Sequence, residues 1–225
     1  MMKNVPLSSW LYPEEQAKVV RQLIAFDLIR SKDEPNFPLV RDGSADVYLD
    51  IHNARDNPRA IRFLVDVLSI PLYRLRSLCI SEVSSTLSEV LERISMVSNI
   101  SYNVFRDCSQ DNQLLGSSVI KGATINEEVD FISDCITDGI AEVALCRRVM
   151  QLGIIPRSII ALVDCGQGWR HLFRDQGIDI PVWSGITMHD IRRELFCTGY
   201  MSRCEQHVEK DNRVIVAIDG GTLGE

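Results

Sequence analysis

The residues best suited to chemistry lie together in VDFISDCITDG, positions 129–139. Asp134 follows an apolar, β-prone run of Val129, Phe131 and Ile132. Thr137, Asp138 and Gly139 come next, and Ile140, Val143, Ala144 and Val149 then recur at helical spacing. The pattern predicts a strand over 129–133, a short acidic loop, and a helix over 139–152 ending at Gly153. Such a junction presents free backbone N–H groups and the positive end of a helix dipole, which suits a phosphate. Asp134, at the strand end, could accept hydrogen bonds from a sugar diol beside that phosphate, and Ser133 could add a hydroxyl. Asp138 works the other way. A carboxylate about 4 Å from a phosphate costs about 1 kcal/mol in bulk water and several in a partly screened pocket. A helix N-terminus typically supplies less than about 2 kcal/mol. Asp138 also reads as an ordinary helix cap, and Asp134 as an ordinary turn former. On the residues alone both readings stay open.

The elements around this junction alternate. Pro13, Glu14 and Glu15 open a helix expected to run to Arg30, with Val19, Val20, Leu23, Ile24, Phe26 and Leu28 apolar. Short strands are expected over 37–40 and 47–51, around the turn Asp42-Gly43-Ser44. Asn57 caps a helix over 59–68, which Pro71 is expected to end. Then come strands over 77–80, 101–105, 158–163 and 181–186, interleaved with helices over 84–97, 166–176 and 188–198. A last strand is expected over 213–218. The run SIIALV is apolar throughout, as in a strand covered on both faces. This alternation predicts an α/β fold with a mostly parallel central sheet flanked by helices, ligands sitting at the C-terminal strand ends. The stretch 107–122 is long for a connection inside a domain, which fits either a functional loop or a surface insertion.

Composition narrows the function classes. The chain has 225 residues, enough for one full core with a small appendage. A net charge of −7 disfavours general binding to nucleic acid or an anionic membrane. No apolar run approaches the roughly 20 residues of a membrane span, and the first residues carry no signal-peptide pattern. The seven cysteines form no CxxC pair and sit among apolar neighbours, as reduced thiols of a cytoplasmic protein would. The four histidines show no metal-ligand spacing, and no metal site is expected in the chain itself.

The stretch 129–139 resembles the phosphoribosyl-pyrophosphate (PRPP) motif of type I phosphoribosyltransferases: two apolar residues, two acidic residues, a short apolar/Thr run and Gly. From about Phe37 to about Glu194 the chain is most similar to orotate phosphoribosyltransferase. The resemblance implies a small N-terminal hood over 1–56, an α/β core over 57–200 and a C-terminal extension over 201–225. It implies Mg²⁺-dependent transfer of ribose 5-phosphate from PRPP to a pyrimidine base, in pyrimidine nucleotide biosynthesis, by a homodimer. Asp134 and Ser133 would face the ribose hydroxyls, and Thr137, Asp138 and Gly139 the 5-phosphate. Arg106 would face the pyrophosphate, and Phe37 and Arg41 would lie in the base-binding segment.

Several positions depart from the family pattern. Ser133 replaces the first acid, and Asp138 a small hydroxyl residue. Val40 stands at a lysine position, and Cys165 at an arginine position. Asp107, Gln110 and Asn112 stand where two lysines and a histidine belong. The loop 107–122 holds Lys121 against Asp107 and Asp111, a net −1, where catalysis needs positive charge on the leaving pyrophosphate. A second reading therefore stands beside the first: the fold kept and the chemistry lost, with a binding or regulatory role.

Overall fold

The computed structural model describes residues 8–31, 47–75, 78–82, 85–98, 102–105, 128–166, 168–197, 205–208 and 214–217. Six strands form one parallel sheet: β1 (Ser8–Ser9), β4 (Leu78–Glu82), β5 (Tyr102–Phe105), β6 (Glu128–Ile136), β7 (Ile155–Asp164) and β8 (Val182–Thr187). Their spatial order is β1-β8-β7-β6-β4-β5, and every neighbouring pair is parallel.

Helices cover both faces. One face carries α1 (Pro13–Ala25), α2 (Pro58–Leu75), α3 (Ser85–Ser98) and α6 (Met188–Cys197), packed on Ile132, Ile160, Leu162 and Ile186. The other carries α4 (Ile140–Gln151) and α5 (Trp169–Asp175), packed on Phe131, Ile136, Ile159 and Ala161. The alternation of Phe131 to one side and Ile132 to the other is the period-2 rule at work in a strand buried on both faces. At the N-terminal end of β6, fully buried Asp130 is neutralised by Arg157. The two bonds measure 3.0 Å from Nε to Oδ1 and 2.7 Å from Nη2 to Oδ2.

The strand order holds the main functional clue. From β4 the chain moves outward to β5, and from β6 it moves the opposite way to β7 and β8. Helix α3 then lies on one face and α4 on the other. The sheet therefore reverses its winding between β4 and β6, which opens a crevice at their C-terminal ends.

Three local expectations change. The first helix stops at Ala25, not Arg30, because Asp27 turns left-handed at φ 57°. Residues Ile29–Ser31 become β2, antiparallel to β3 (Val47–Leu49). This pair and the following 3-10 turn (Ile51–Ala54) lie, with β1 and α1, within the stretch 1–56 expected to form a hood. Pro71 lies inside α2, which continues to Leu75. The last strand is found where it is expected, as β10 (Val214–Ala217), and pairs antiparallel with β9 (Glu205–Val208) in a separate ribbon. Finally, β6 extends through Ile136, so Asp134 lies within the strand and not after it. The strand expected over 37–40 falls outside the described residues.

Candidate functional site

The crevice between β4 and β6 is floored by the end of β6 and the start of α4. Gly139 is the residue before α4 and adopts φ 80°, a left-handed conformation that costs a side chain. A Cβ there would also lie 2.8 Å from Trp169 Cβ and 3.3 Å from Trp169 Cα. Gly139 thus lets the α4 start and α5 approach each other, besides making the turn.

Asp138 is exposed, and its Oδ1 accepts the Ile140 N–H at 3.0 Å. The carboxylate therefore already holds one amide of the helix start. Among the described residues, the amides of Gly139 and Ala141 have no acceptor. Thr137 is exposed beside them.

Asp134 is half-buried, and its Oδ1 accepts the Cys135 N–H at 2.8 Å. Burial pushes its carboxyl above the usual carboxylate range. Hydrogen bonds from its own amide and from Cys135 oppose that shift, as does the charge of His52 on the 3-10 turn. The hood turn thus sits within electrostatic reach of the strand end. The Ser133 hydroxyl donates to the Cys135 carbonyl at 2.9 Å and lies 3.3 Å from Glu142 Oε1. Glu142 is buried in the first turn of α4.

The structure brings together Ser133, Asp134, Thr137, Asp138 and Gly139. Phe37, Arg41, Arg106 and the stretch 107–122 fall outside the described residues. Sequence reasoning passed over a second junction next door. Buried Asp164 ends β7, and its Oδ1 accepts the Gly166 N–H at 2.8 Å and the Trp169 indole N–H at 2.9 Å. Its Oδ2 accepts Arg170 Nη2 at 3.0 Å, and the Arg170 guanidinium lies 4.5 Å from the Trp169 ring centroid. Gly166 and Gly168 both have positive φ. The run D-C-G-Q-G-W carried the signal: an acid at a strand end, two glycines and a helix start, as at 134–140. Asp164 has its acceptor atoms filled by the chain, and it braces the wall against which Gly139 packs.

No family model matches the chain, and no curated protein matches its sequence significantly. Solved structures do match. The UMP synthase of Leishmania donovani aligns with a TM-score of 0.67 at 16% identity, over 83% of this chain and 39% of that one. The chain therefore spans about two fifths of that protein's length. The orotate phosphoribosyltransferase of Aeropyrum pernix aligns with a TM-score of 0.63 at 17% identity, over 81% of this chain and 98% of its own. The adenine phosphoribosyltransferase of Saccharomyces cerevisiae aligns at 0.52 and 14% identity, over 75% of this chain and 98% of its own. The fold is that of the type I phosphoribosyltransferases. The α/β architecture expected from the sequence is thus found. At these identities the likeness concerns fold and leaves the acceptor base open. Among the described residues no helix is long and apolar enough to cross a membrane.

Proposed function

We propose that the chain binds PRPP at the turn between β6 and α4 and transfers its ribose 5-phosphate to a pyrimidine base, with orotate the first acceptor to try. One observation carries this reading. An acidic strand-to-helix turn whose Gly139 and Ala141 amides have no acceptor among the described residues opens at the point where the sheet reverses its winding. That is where open α/β sheets take their ligands. Asp134 would hold the ribose hydroxyls, and the Gly139 and Ala141 amides the 5-phosphate. Mg²⁺ would arrive with PRPP, whose oxygens would supply most of its ligands, as is usual for this ion. The carboxylate of Asp134 fits the one or two protein oxygens such an ion takes. Sharing of the site across a homodimer belongs to the same proposal.

A specific observation favours a second reading, a ligand-binding protein without transfer. The Asp138 carboxylate occupies the Ile140 amide and puts negative charge where the phosphate would lie. Calorimetry with PRPP and Mg²⁺ separates the two. Micromolar binding that Asp134→Asn weakens about tenfold or more supports the first reading, a loss of at least about 1.4 kcal/mol. Absence of heat removes PRPP as the ligand. Nucleotide formation from PRPP with orotate, uracil or a purine then identifies the acceptor.

A further inference from the structure

Two thiols sit beside the candidate site, and neither reading above uses them. Cys135 is next to last in β6, and Cys165 directly follows β7. These strands are parallel neighbours, with Cys135 opposite Val163 and Ile136 opposite Asp164. The Cys165 N–H donates to the Ile136 carbonyl at 2.9 Å, which carries the ladder one step past the strand end. Cys165 therefore lies two residues along from the partner of Cys135, on the same side of the ladder. Both side chains are half-buried against the same core cluster, on the face that carries α1, α2, α3 and α6. The neighbouring Cys165 thiol, burial and the carboxylates of Asp134 and Glu142 raise the Cys135 thiol well above its usual range.

The backbone of Cys135 is fastened to the site on both sides. Its N–H donates to Asp134 Oδ1 at 2.8 Å, and its carbonyl accepts the Ser133 hydroxyl at 2.9 Å. We propose that Cys135 and Cys165 form an oxidisable dithiol whose closure to an intrachain disulfide rearranges the Ser133–Gly139 turn. The part that concerns ligand affinity rests on the sugar-phosphate reading of that turn.

With hydrogen peroxide as oxidant the chemistry balances. The Cys165 sulfur, just past the end of β7, attacks the peroxide oxygen first. The O–O bond breaks, water leaves, and Cys165 becomes a sulfenic acid. The Cys135 sulfur then attacks that sulfur. The S–O bond breaks, a second water leaves, and the S–S bond forms. Both thiol protons end in water, and the peroxide takes up two electrons. A thiol reductant reverses the change through a mixed disulfide.

Closure has to move backbone. Strand spacing near 4.8 Å and a two-residue rise near 6.6 Å set the two Cα atoms about 8 Å apart before any turn of the chain after Asp164. A disulfide needs them within about 6.8 Å. The strand ends must draw together, and Cys135 takes Asp134 and Ser133 with it. A bridge closed against the spacing of the sheet is also readily reduced, as a reversible device requires.

The test uses the full chain. It is treated with hydrogen peroxide, its remaining thiols are alkylated, and the digest is analysed by mass spectrometry. The expected product is a peptide pair joined through Cys135 and Cys165. The pair is lost after dithiothreitol and from Cys165→Ser, and persists in Cys197→Ala. Cys146 is the internal control, since burial and Glu142 push its thiol up to about 12. Cys135 still alkylated after peroxide, or sulfinic acid at Cys165 without a link, overturns the proposal. Amide hydrogen exchange over 133–140 reads the rearrangement without any ligand. We expect about a tenfold change on oxidation, reversed by reductant, and unchanged exchange in the linked protein overturns the coupling. PRPP affinity is expected to fall about tenfold on linkage. A reduced chain that takes no PRPP refutes the sugar-phosphate reading and leaves the exchange and mass results to decide the dithiol.

Discussion

Replacing Asp138 by serine tests what the turn is built to hold. The Asp138 carboxylate lies 3.0 Å from the Ile140 nitrogen. A phosphate on the adjacent Gly139 and Ala141 amides would sit about 2.9 Å from each, placing its charge roughly 4–5 Å from that carboxylate. Two like charges at about 4 Å repel by about 1 kcal/mol in water and about 4 kcal/mol at an effective dielectric of about 20. Asp138→Ser removes that repulsion. PRPP affinity should therefore rise by between about fivefold and about 900-fold. Serine caps helices nearly as well as aspartate, so the fold should change by less than about 1 kcal/mol. Isothermal titration with PRPP and Mg²⁺ measures the gain, and uridine serves as an uncharged control that should not gain. The advantage should shrink with added salt, because the site is exposed. Affinity that stays level or falls in Asp138→Ser would show that no phosphate reaches these amides.

Three further outcomes follow from the same turn and its wall. Gly139→Ala should lower stability by about 2–5 kcal/mol, combining the left-handed φ with a Cβ pressed on the Trp169 backbone, as chemical denaturation would read. Asp164→Asn should cost about 2–3 kcal/mol and alter Trp169 fluorescence, since one carboxylate serves Gly166, Trp169 and Arg170. Asp134 has a folded pKa raised above its unfolded value of about 3.8, so the fold favours its protonated form. Its contribution to stability is highest below that value and declines as pH rises through the folded pKa. Asp134→Asn should therefore melt higher than the parent at pH 7 while binding PRPP less well. The difference in melting should narrow as pH is lowered toward 3.8, and a gap that widens on acidification would contradict the burial argument.

The parts of the fold that could be read in the sequence were those set by local pattern. The apolar run of 158–163 announced a covered strand, and Asp134 to Gly139 announced a strand, turn and helix start. Long-range pairing decided what could not be read. Ser8–Ser9 becomes a strand because it pairs with Trp183 and Ser184. The Ser9 hydroxyl donates to the Gly185 carbonyl at 2.9 Å, and the Trp10 ring lies over Gly185. Nothing within 8–11 foretells that. Leu28 and Ile29 continue the apolar spacing of α1, yet Asp27 ends the helix and sends Ile29 into a strand with Leu49. Pro71 is a helix breaker by rule and sits in the helix by tertiary context. At the site, the capping use of Asp138 is one of the two readings the residues leave open, and its carboxylate does hold the Ile140 amide. The meeting of Cys135 with Cys165 does not follow from spacing, because it depends on the register of β6 against β7.

Trp169 gives the protein an optical gauge of its own. Its indole N–H is tied to Asp164, its ring meets Phe173 edge-on with centroids 5.3 Å apart, and its Cβ abuts the place where Gly139 lacks one. A small molecule settling on the Gly139 amide presses on the same contact from the other side. The emission of this one tryptophan should therefore track occupancy directly, with no label and no coupled assay.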